Sequence, residues 1–445
     1  MPWAPRTTAL SLIAVFSLTA AAVAQQRPMT LVDLLEVPRI SDPQLSPDGR
    51  QVVYVRSAAD WDENRRVGHI WRVNADGTGQ IQMTSGDGER GPRWSPDGET
   101  IAFVASREDE EGTEDIAQIY LLPNRGGEAR VLTNHATSVS SVSWAPSGAV
   151  LYFLAPDEKT GIEKKKTQAK DDVYIFDANY QQRHLWMVDV ASGDEARVTR
   201  GDASIVRYEL SRDGTRLAYH RAPSPLFGER ELGEVWVADA DGSHAVQLTS
   251  NEVPEYDAAL SPDNRHVLFV TSSNERLDYY YNDNLFVVPA AGGDPRMLTP
   301  EFPYEIVAAR WGADEQSIFA VANMGVHTEL FEIDVTTMAV TQLTDGEHAV
   351  RSWHYVSSVD QHLIQIDQPN RAGDLWIMDA EIGTVPTRIT DVFGYLARDF
   401  KVPRQERIQW TGSDGIVVEG LVFYPIDYEP GRRYPLCVQT HGGPA

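Results

Sequence analysis

LSPDGRQVVYV, residues 45–55, holds a turn and the start of a strand. Pro47 presets φ, Asp48 can bond back to the local backbone and Gly49 tolerates positive φ. The chain therefore reverses here, and the alternating apolar run behind the turn reads as a strand. The same combination returns as WSPDGETIAFV (94–104), WAPSGAVLYFL (144–154), LSRDGTRLAYH (210–220), LSPDNRHVLFV (260–270), WGADEQSIFAV (311–321) and a worn VSSVDQHLIQI (356–366), seven copies in all.

Each copy is answered downstream by a second segment, from IWRVNADGTGQIQMT (70–84) to LWIMDAEIGTVPTRIT (375–390). A strand of the type Leu-Trp-x-Val-Asp, a Gly-containing turn and a short run ending in Leu-Thr follow one another. With the strand that leads into each Ser-Pro-Asp-Gly turn, every unit has four strands. Counted at the place of Asp48 (48, 97, 147, 213, 263, 314 and 360), the intervals are 49, 50, 66, 50, 51 and 46 residues. A four-stranded unit cannot bury both its faces alone, whereas seven arranged radially bury one another. We read 41–392 as an all-β, seven-bladed β-propeller; an open sandwich of the same strands would not explain so regular a period. Since each unit supplies its own four strands, the ring is expected to close by packing of blade one on blade seven, without a strand exchanged from the amino terminus.

The 66-residue interval places an insertion between the second and third strands of blade three, about 157–183, DEKTGIEKKKTQAKDDVYIFDANYQQR. A Lys-rich run such as KKKTQAK reads as wet surface on a hairpin extension. The aromatic and acidic stretch DDVYIFDANY equally suits an excursion that reaches a ligand or a neighbouring domain.

The two ends differ from the repeats. Residues 1–24 carry one charge, Arg6, before the apolar run ALSLIAVFSLTAAAVA (9–24), which ends in Ala-Val-Ala. This pattern is that of a secretory signal cleaved between Ala24 and Gln25, and it is short and Ser/Thr-diluted for a membrane anchor. Secretion or export to a periplasm is implied, with no membrane attachment after cleavage. Residues 25–40 lead into the propeller and 393–403 form a linker. Beyond it RIQWTG, IVVEGLVFYP and YPLCVQT read as three further strands, too few for a domain of their own; the last is apolar on both faces, as in the centre of a covered sheet.

Composition narrows the chemistry. The chain has 42% hydrophobic and 23% charged residues, as expected of a folded protein, and a formal net charge of −26. Nucleic acid is a poor partner for so acidic a surface. The single cysteine, Cys437, excludes an internal disulfide, and the histidines show no metal-binding spacing, so neither a metal nor another cofactor is expected. No G-x-S-x-G occurs; Gly412-Ser413-Asp414-Gly415 reads as a hairpin turn.

Taken together, LVDLLEVPRISDPQLSPDGRQVVYV, the seven repeats and ERIQWTGSDGIVVEGLVFYPIDYEPGRRYPLCVQTHGGPA resemble the prolyl oligopeptidase family of serine peptidases, in its acylaminoacyl-peptidase and dipeptidyl-peptidase-like branch. The resemblance implies that 404–445 begins an α/β-hydrolase domain whose Ser, Asp and His lie beyond this chain, so that the sequence stops inside the catalytic domain and is inactive alone. It implies that His441, Gly442, Gly443 and Pro444 form the oxyanion loop, His441 not being the triad histidine, and that short peptides are the substrates. The Asp-Trp-x-Tyr-Glu-Glu stretch with which the dipeptidyl peptidase IV branch grips a free amino terminus is absent. Asp171, Asp172 and Asp177 lie at a comparable place with different spacing and are candidates for amine recognition. A non-catalytic, TolB-like propeller that binds peptides or proteins is the other reading, one with no use for 404–444.

Overall fold

A computed structural model describes residues 26–106, 116–171, 173, 175 and 177–440. The signal segment, Asp172 and the loop His441–Pro444 lie outside the described residues.

Seven four-stranded antiparallel sheets follow one another along the chain, at 39–82, 90–131, 140–197, 204–247, 255–297, 305–342 and 349–388. The first strands meet around the axis and the fourth lie outermost. Between each pair of neighbouring sheets sits one apolar cluster, seven in all. Blade six, for example, presses Ile306, Trp311 and Ile318 against Leu268 and Leu285 of blade five. This mutual burial is what a lone sheet lacks.

The repeated residues have repeated jobs. In blade one the Ser46 hydroxyl donates to Asp48 (2.6 Å) and accepts from the Gln51 N–H (2.9 Å), while Gly49 sits at φ 71°. Ser95, Ser211 and Ser261 donate to Asp97, Asp213 and Asp263 in the same way, at 2.5, 2.6 and 2.6 Å. The seventh turn corrects the alignment above. Val356 pairs with Gln361 as Ser46 pairs with Gln51, so Ser358 rather than Asp360 stands at the place of Asp48.

The Thr of every Leu-Thr ending bonds inward. Thr84, Thr133, Thr199, Thr249, Thr299, Thr344 and Thr390 each accept, on the side-chain oxygen, the backbone N–H of the third-strand residue Ile70, Ile119, Leu185, Val235, Leu285, Leu330 or Leu375, at 2.8–3.1 Å. A donor that the short fourth strand leaves unpaired is thereby satisfied.

The ring closes as expected. The strand Arg39–Leu45 pairs within blade one, and blade seven is complete from 349 to 388. The seam is made by Tyr54, Val52 and Leu45 packing on Leu363 and Leu375, by the Leu45 N–H donating to His354 Nδ1 (3.2 Å) and by the Ser358 hydroxyl donating to the Pro47 carbonyl (2.7 Å).

Two elements differ from expectation. The Lys-rich part of the insertion is a helix, Gly161–Gln168, started by a capping box in which Thr160 accepts the Glu163 N–H (3.3 Å) and Glu163 accepts the Thr160 N–H (2.7 Å). Beyond the linker Gln405–Thr411 and Val417–Phe423 form a hairpin, and the turn at Gly412–Gly415 closes with a Gly415 N–H to Gly412 carbonyl bond of 3.1 Å. The third expected strand, YPLCVQT, forms no ladder, and Leu436 and Val438 stand 84% and 74% exposed. A strand needs a neighbour for its N–H and C=O groups, and among the described residues no other segment forms a ladder with this one.

Candidate functional site

In an antiparallel blade the second-to-third connections and the links from one blade to the next leave at the same end. At that end the hairpin 405–423 lies over blades six and seven. The Val326 N–H donates to the Glu419 carboxylate (3.4 Å) and Arg407 reaches His327 Nδ1 (3.4 Å). Between hairpin and blades is a cleft of about 240 Å³ lined by His327, His348, Asp367, Gln405, Arg407 and Leu421. The blade-three insertion leaves from the same end, after Pro156 and before Arg183. The hairpin also leaves apolar side chains uncovered on both faces, Trp410 (48% exposed) on one and Val417 (60%) and Phe423 (62%) on the other.

The axis is polar for a local reason. Every first strand carries a β-bulge against its second strand, which turns extra side chains toward the centre. Arg207 of blade four pairs with Asp257 of blade five, and Arg310 of blade six lies 3.4 Å from Asp257 and 3.7 Å from Glu209. Enclosure by the ring pushes the Glu209 carboxyl up, an effect that Arg310 opposes, although water still reaches 40% of the side chain. Burial would depress the Arg310 guanidinium, but Glu209 and Asp257 hold it above its ordinary value. His354 is pushed down to about 3 by burial, with Arg93 and Arg310 adding to the effect, so it is neutral and accepts the Leu45 N–H. Arg207, Glu209, Asp257 and Arg310 tie blades four, five and six together at the axis, and His354 ties blade seven to blade one.

The described residues hold no prepared nucleophile. Ser243 and Asp239 both meet His244 at Nδ1 (3.2 and 2.7 Å) on an exposed turn, so the base has no second nitrogen in the relay. Thr199 approaches His184 Nδ1 (3.3 Å), but its oxygen is engaged by the Leu185 N–H. No group of His, Cys, Asp and Glu suited to a metal ion occurs among them.

The candidate residues named from the sequence are not gathered by the described structure. Asp171 stands exposed just after the insertion helix, its carboxylate within 3.4 Å of the Val173 N–H, and Asp177 is exposed in the turn beyond. Asp172 and His441, Gly442, Gly443 and Pro444 lie outside the described residues. Sequence reasoning missed the charged axis, because the bulges share no one residue: Gly91 takes φ 60° at that of blade two, while Asp42, Ser141 and Asp257 take φ 49°, 51° and 51° at those of blades one, three and five.

Comparison with known proteins agrees with this architecture. A family model described as the lipoprotein LpqB beta-propeller domain matches residues 68–219. An "uncharacterized peptidase", YuxL, of Bacillus subtilis is 24% identical over 456 residues, covering 94% of this chain and 66% of its own length. Dipeptidyl-peptidase 5 of Porphyromonas gingivalis is 24% identical over 451 residues, covering 91% and 62%. Among solved structures, an acylaminoacyl peptidase in complex with Z-Gly-Gly-Phe-chloromethyl ketone superposes with a TM-score of 0.67 at 15% identity, over 90% of this chain and 60% of that one. The chain thus spans about 60–66% of the length of these relatives. With seven self-contained blades carrying a hairpin on their loop-bearing face, and with relatives of this kind along nearly its whole length, the chain is similar to these peptidases in sequence and in architecture.

Proposed function

We propose that the protein is the propeller-bearing part of an exported serine peptidase that hydrolyses short peptides, secreted or periplasmic after cleavage at Ala24/Gln25. The observation that carries the reading is the hairpin 405–423. It is fixed to the propeller through Glu419 and Arg407, yet leaves Trp410, Val417 and Phe423 uncovered, as a sheet does that takes further strands and helices. A propeller that only bound partners would have no need of it.

In this reading the chain's own contribution to chemistry is the loop His441–Pro444. Attack on a peptide carbonyl builds negative charge on its oxygen, and a preset backbone N–H aimed at that oxygen lowers the barrier; loss of one donor costs about 10² to 10³ in rate. Gly443 lets the backbone approach without a Cβ, and its N–H is the donor we assign, before that of Gly442. In the same reading the propeller excludes folded proteins from the space beneath it, and Asp171, Asp172 and Asp177 of the insertion are the candidates for recognising a peptide amine.

The test is an activity comparison. Residues 1–445 should neither react with a fluorophosphonate probe nor cleave aminoacyl or dipeptidyl chromogenic substrates. A longer version carrying a full hydrolase domain should cleave peptides of a few residues and spare intact casein, and Gly443→Pro should lower its kcat by about 10² or more. Labelling of the short chain, or equal rates on peptides and casein, would overturn the reading.

A further inference from the structure

On the loop-bearing end, between blades three, four and five, lies a cleft of about 320 Å³ lined by Arg183, Arg207, His220, Arg230, Glu231 and Tyr256, with Glu255 at its inner edge. Cations dominate it, in a protein whose net charge is −26. Their arrangement is built rather than incidental. Arg183, at the start of its strand, donates Nε to the Ile205 carbonyl (2.9 Å) and Nη2 to the Val206 carbonyl (2.6 Å), which fixes its guanidinium against blade four and leaves Nη1 over. Arg207 is held by Asp257. Arg230 stands on the short 3₁₀ turn Arg230–Leu232, near enough to Arg183 that, after burial, its charge is what depresses the Arg183 guanidinium. No carboxylate among the described residues pairs with either Arg183 or Arg230.

A second observation points to a ligand. His220 is 97% buried by its 3% exposure, lines the same cleft, and its Nε2 finds no hydrogen-bond partner among the described residues. Leaving a buried polar atom unmatched is costly, so such an atom on the wall of a cleft that also presents the Arg183 and Arg230 guanidinium groups marks a place that an acceptor would complete. Glu255 does not fill that role. Its carboxylate already accepts from Thr249 (2.6 Å), Asn251 (2.7 Å) and the Val235 N–H (3.2 Å). The excursion that carries Arg230 also exposes Phe227 and Leu232, at 59% and 44%, giving apolar surface next to the charge.

We propose that this cleft recognises a carboxylate of a peptide, held between Arg230 and Arg183 Nη1 with His220 Nε2 beneath, while the body of the peptide lies on Phe227 and Leu232. An acidic side chain and a carboxy-terminal carboxylate offer the same group. The cleft opens on the end of the propeller where the hairpin 405–423 sits, so a bound peptide faces the side on which the hydrolase segment begins. The peptide part of this assignment rests on the peptidase reading; the carboxylate part rests on the cleft alone.

Binding to the purified chain 1–445, followed by isothermal titration, tests it with four peptides: acetyl-Ala-Glu-Ala-amide, its Gln counterpart, acetyl-Ala-Ala-Ala with a free carboxylate, and the same peptide amidated. At least one acidic member should bind about tenfold or more tighter than its neutral twin, the pair identifying which carboxylate is read. Arg230→Gln, an exposed change that leaves the fold intact by circular dichroism, should erase the difference, and Arg183→Lys, which keeps the charge and loses the fork, should reduce it. Equal binding of acidic and neutral peptides, a preference that survives Arg230→Gln, or sulfate competing as well as the best peptide would overturn the proposal. Acid-selective binding in a protein whose hydrolase-bearing version has no peptidase activity would leave the cleft assigned and remove the peptidase reading instead.

Discussion

Thr344 shows how much one hydroxyl can hold. Its oxygen accepts the Leu330 N–H (2.9 Å) and its proton goes to the Glu329 carboxylate (2.6 Å), whose side chain is wholly buried. Valine has the same shape and neither function, so Thr344→Val strands the buried Leu330 N–H and removes one partner of a buried carboxylate that keeps the Gly346 N–H (3.2 Å) and His348 (3.0 Å). The variant is expected to lose about 1–3 kcal/mol in a urea titration, whereas the same change at a surface threonine such as Thr78 should lie within about 0.5 kcal/mol of the parent. Glu255 makes the complementary case for pH. Burial pushes its carboxyl up to about 7, against the hydrogen bonds from Thr249 and Asn251. The folded state thus holds this proton more tightly than the unfolded chain. The stabilisation is complete below the ordinary carboxyl range, near 4.3, and is lost as pH rises through about 7. His220 acts with the opposite sign, since burial pushes its imidazole down to about 4, and stability withheld in acid returns as the pH climbs toward 6.5. The difference between parent and Glu255→Gln in thermal melts from pH 4 to pH 8 isolates the first effect: the parent should lose more stability over that range than the variant.

At the scale of elements, the insertion of blade three is the part least committed to the fold. Its helix buries none of its residues, and its attachment to the propeller lies at its two ends, where Asp157 pairs with Arg197 (2.9 Å) and Gln182 donates to Asp202 (2.9 Å) and to the Pro223 carbonyl (3.0 Å). Replacing 158–180 by a short Gly/Asn linker that keeps Gln182 should therefore leave the melting temperature within a few degrees of the parent, read by circular dichroism. The strands themselves were legible because each turn is encoded by residues that can do little else, Ser46, Asp48 and Gly49 among them, and because an apolar run behind such a turn has one sheet to join. The insertion helix was legible in principle through Thr160 and Glu163, a spacing masked by the lysines that follow. What the sequence could not convey was partnership. Residues 434–440 have the pattern of a central strand, but a strand is a relation between segments, and among the described residues no other segment forms a ladder with this one. The bulges are invisible for the same reason, being mismatches between two strands rather than properties of either.

The whole molecule is held as a ring by its seven inter-blade clusters. Leu363 is fully buried in the cluster that joins blade seven to blade one, where packing and a few hydrogen bonds replace a shared strand. Leu363→Ala should cost about 2–5 kcal/mol and, by loosening that seam, should make residues 39–82 the first segment released in limited proteolysis. The truncation of Leu268 between blades five and six should cost a similar amount without that bias. The propeller was legible at this scale from its period alone. The cationic cleft beside Arg183 and Arg230 was not, since its members come from three blades and from a connection whose sequence, LFGEREL, carries no repeat.

Because each sheet is completed by consecutive chain, no blade waits for a partner strand from the far end. A strand exchanged between the termini would bring together segments more than 300 residues apart before the last sheet could form; here the longest such reach within any sheet is the excursion of blade three. Loop-closure entropy is thus met in small instalments, and contact order stays low for so large an all-β protein. As the nascent chain leaves the ribosome, it can lay down its blades one after another, each offering a ready apolar face to the next, and the seam between first and last is sealed only when the ring is otherwise whole.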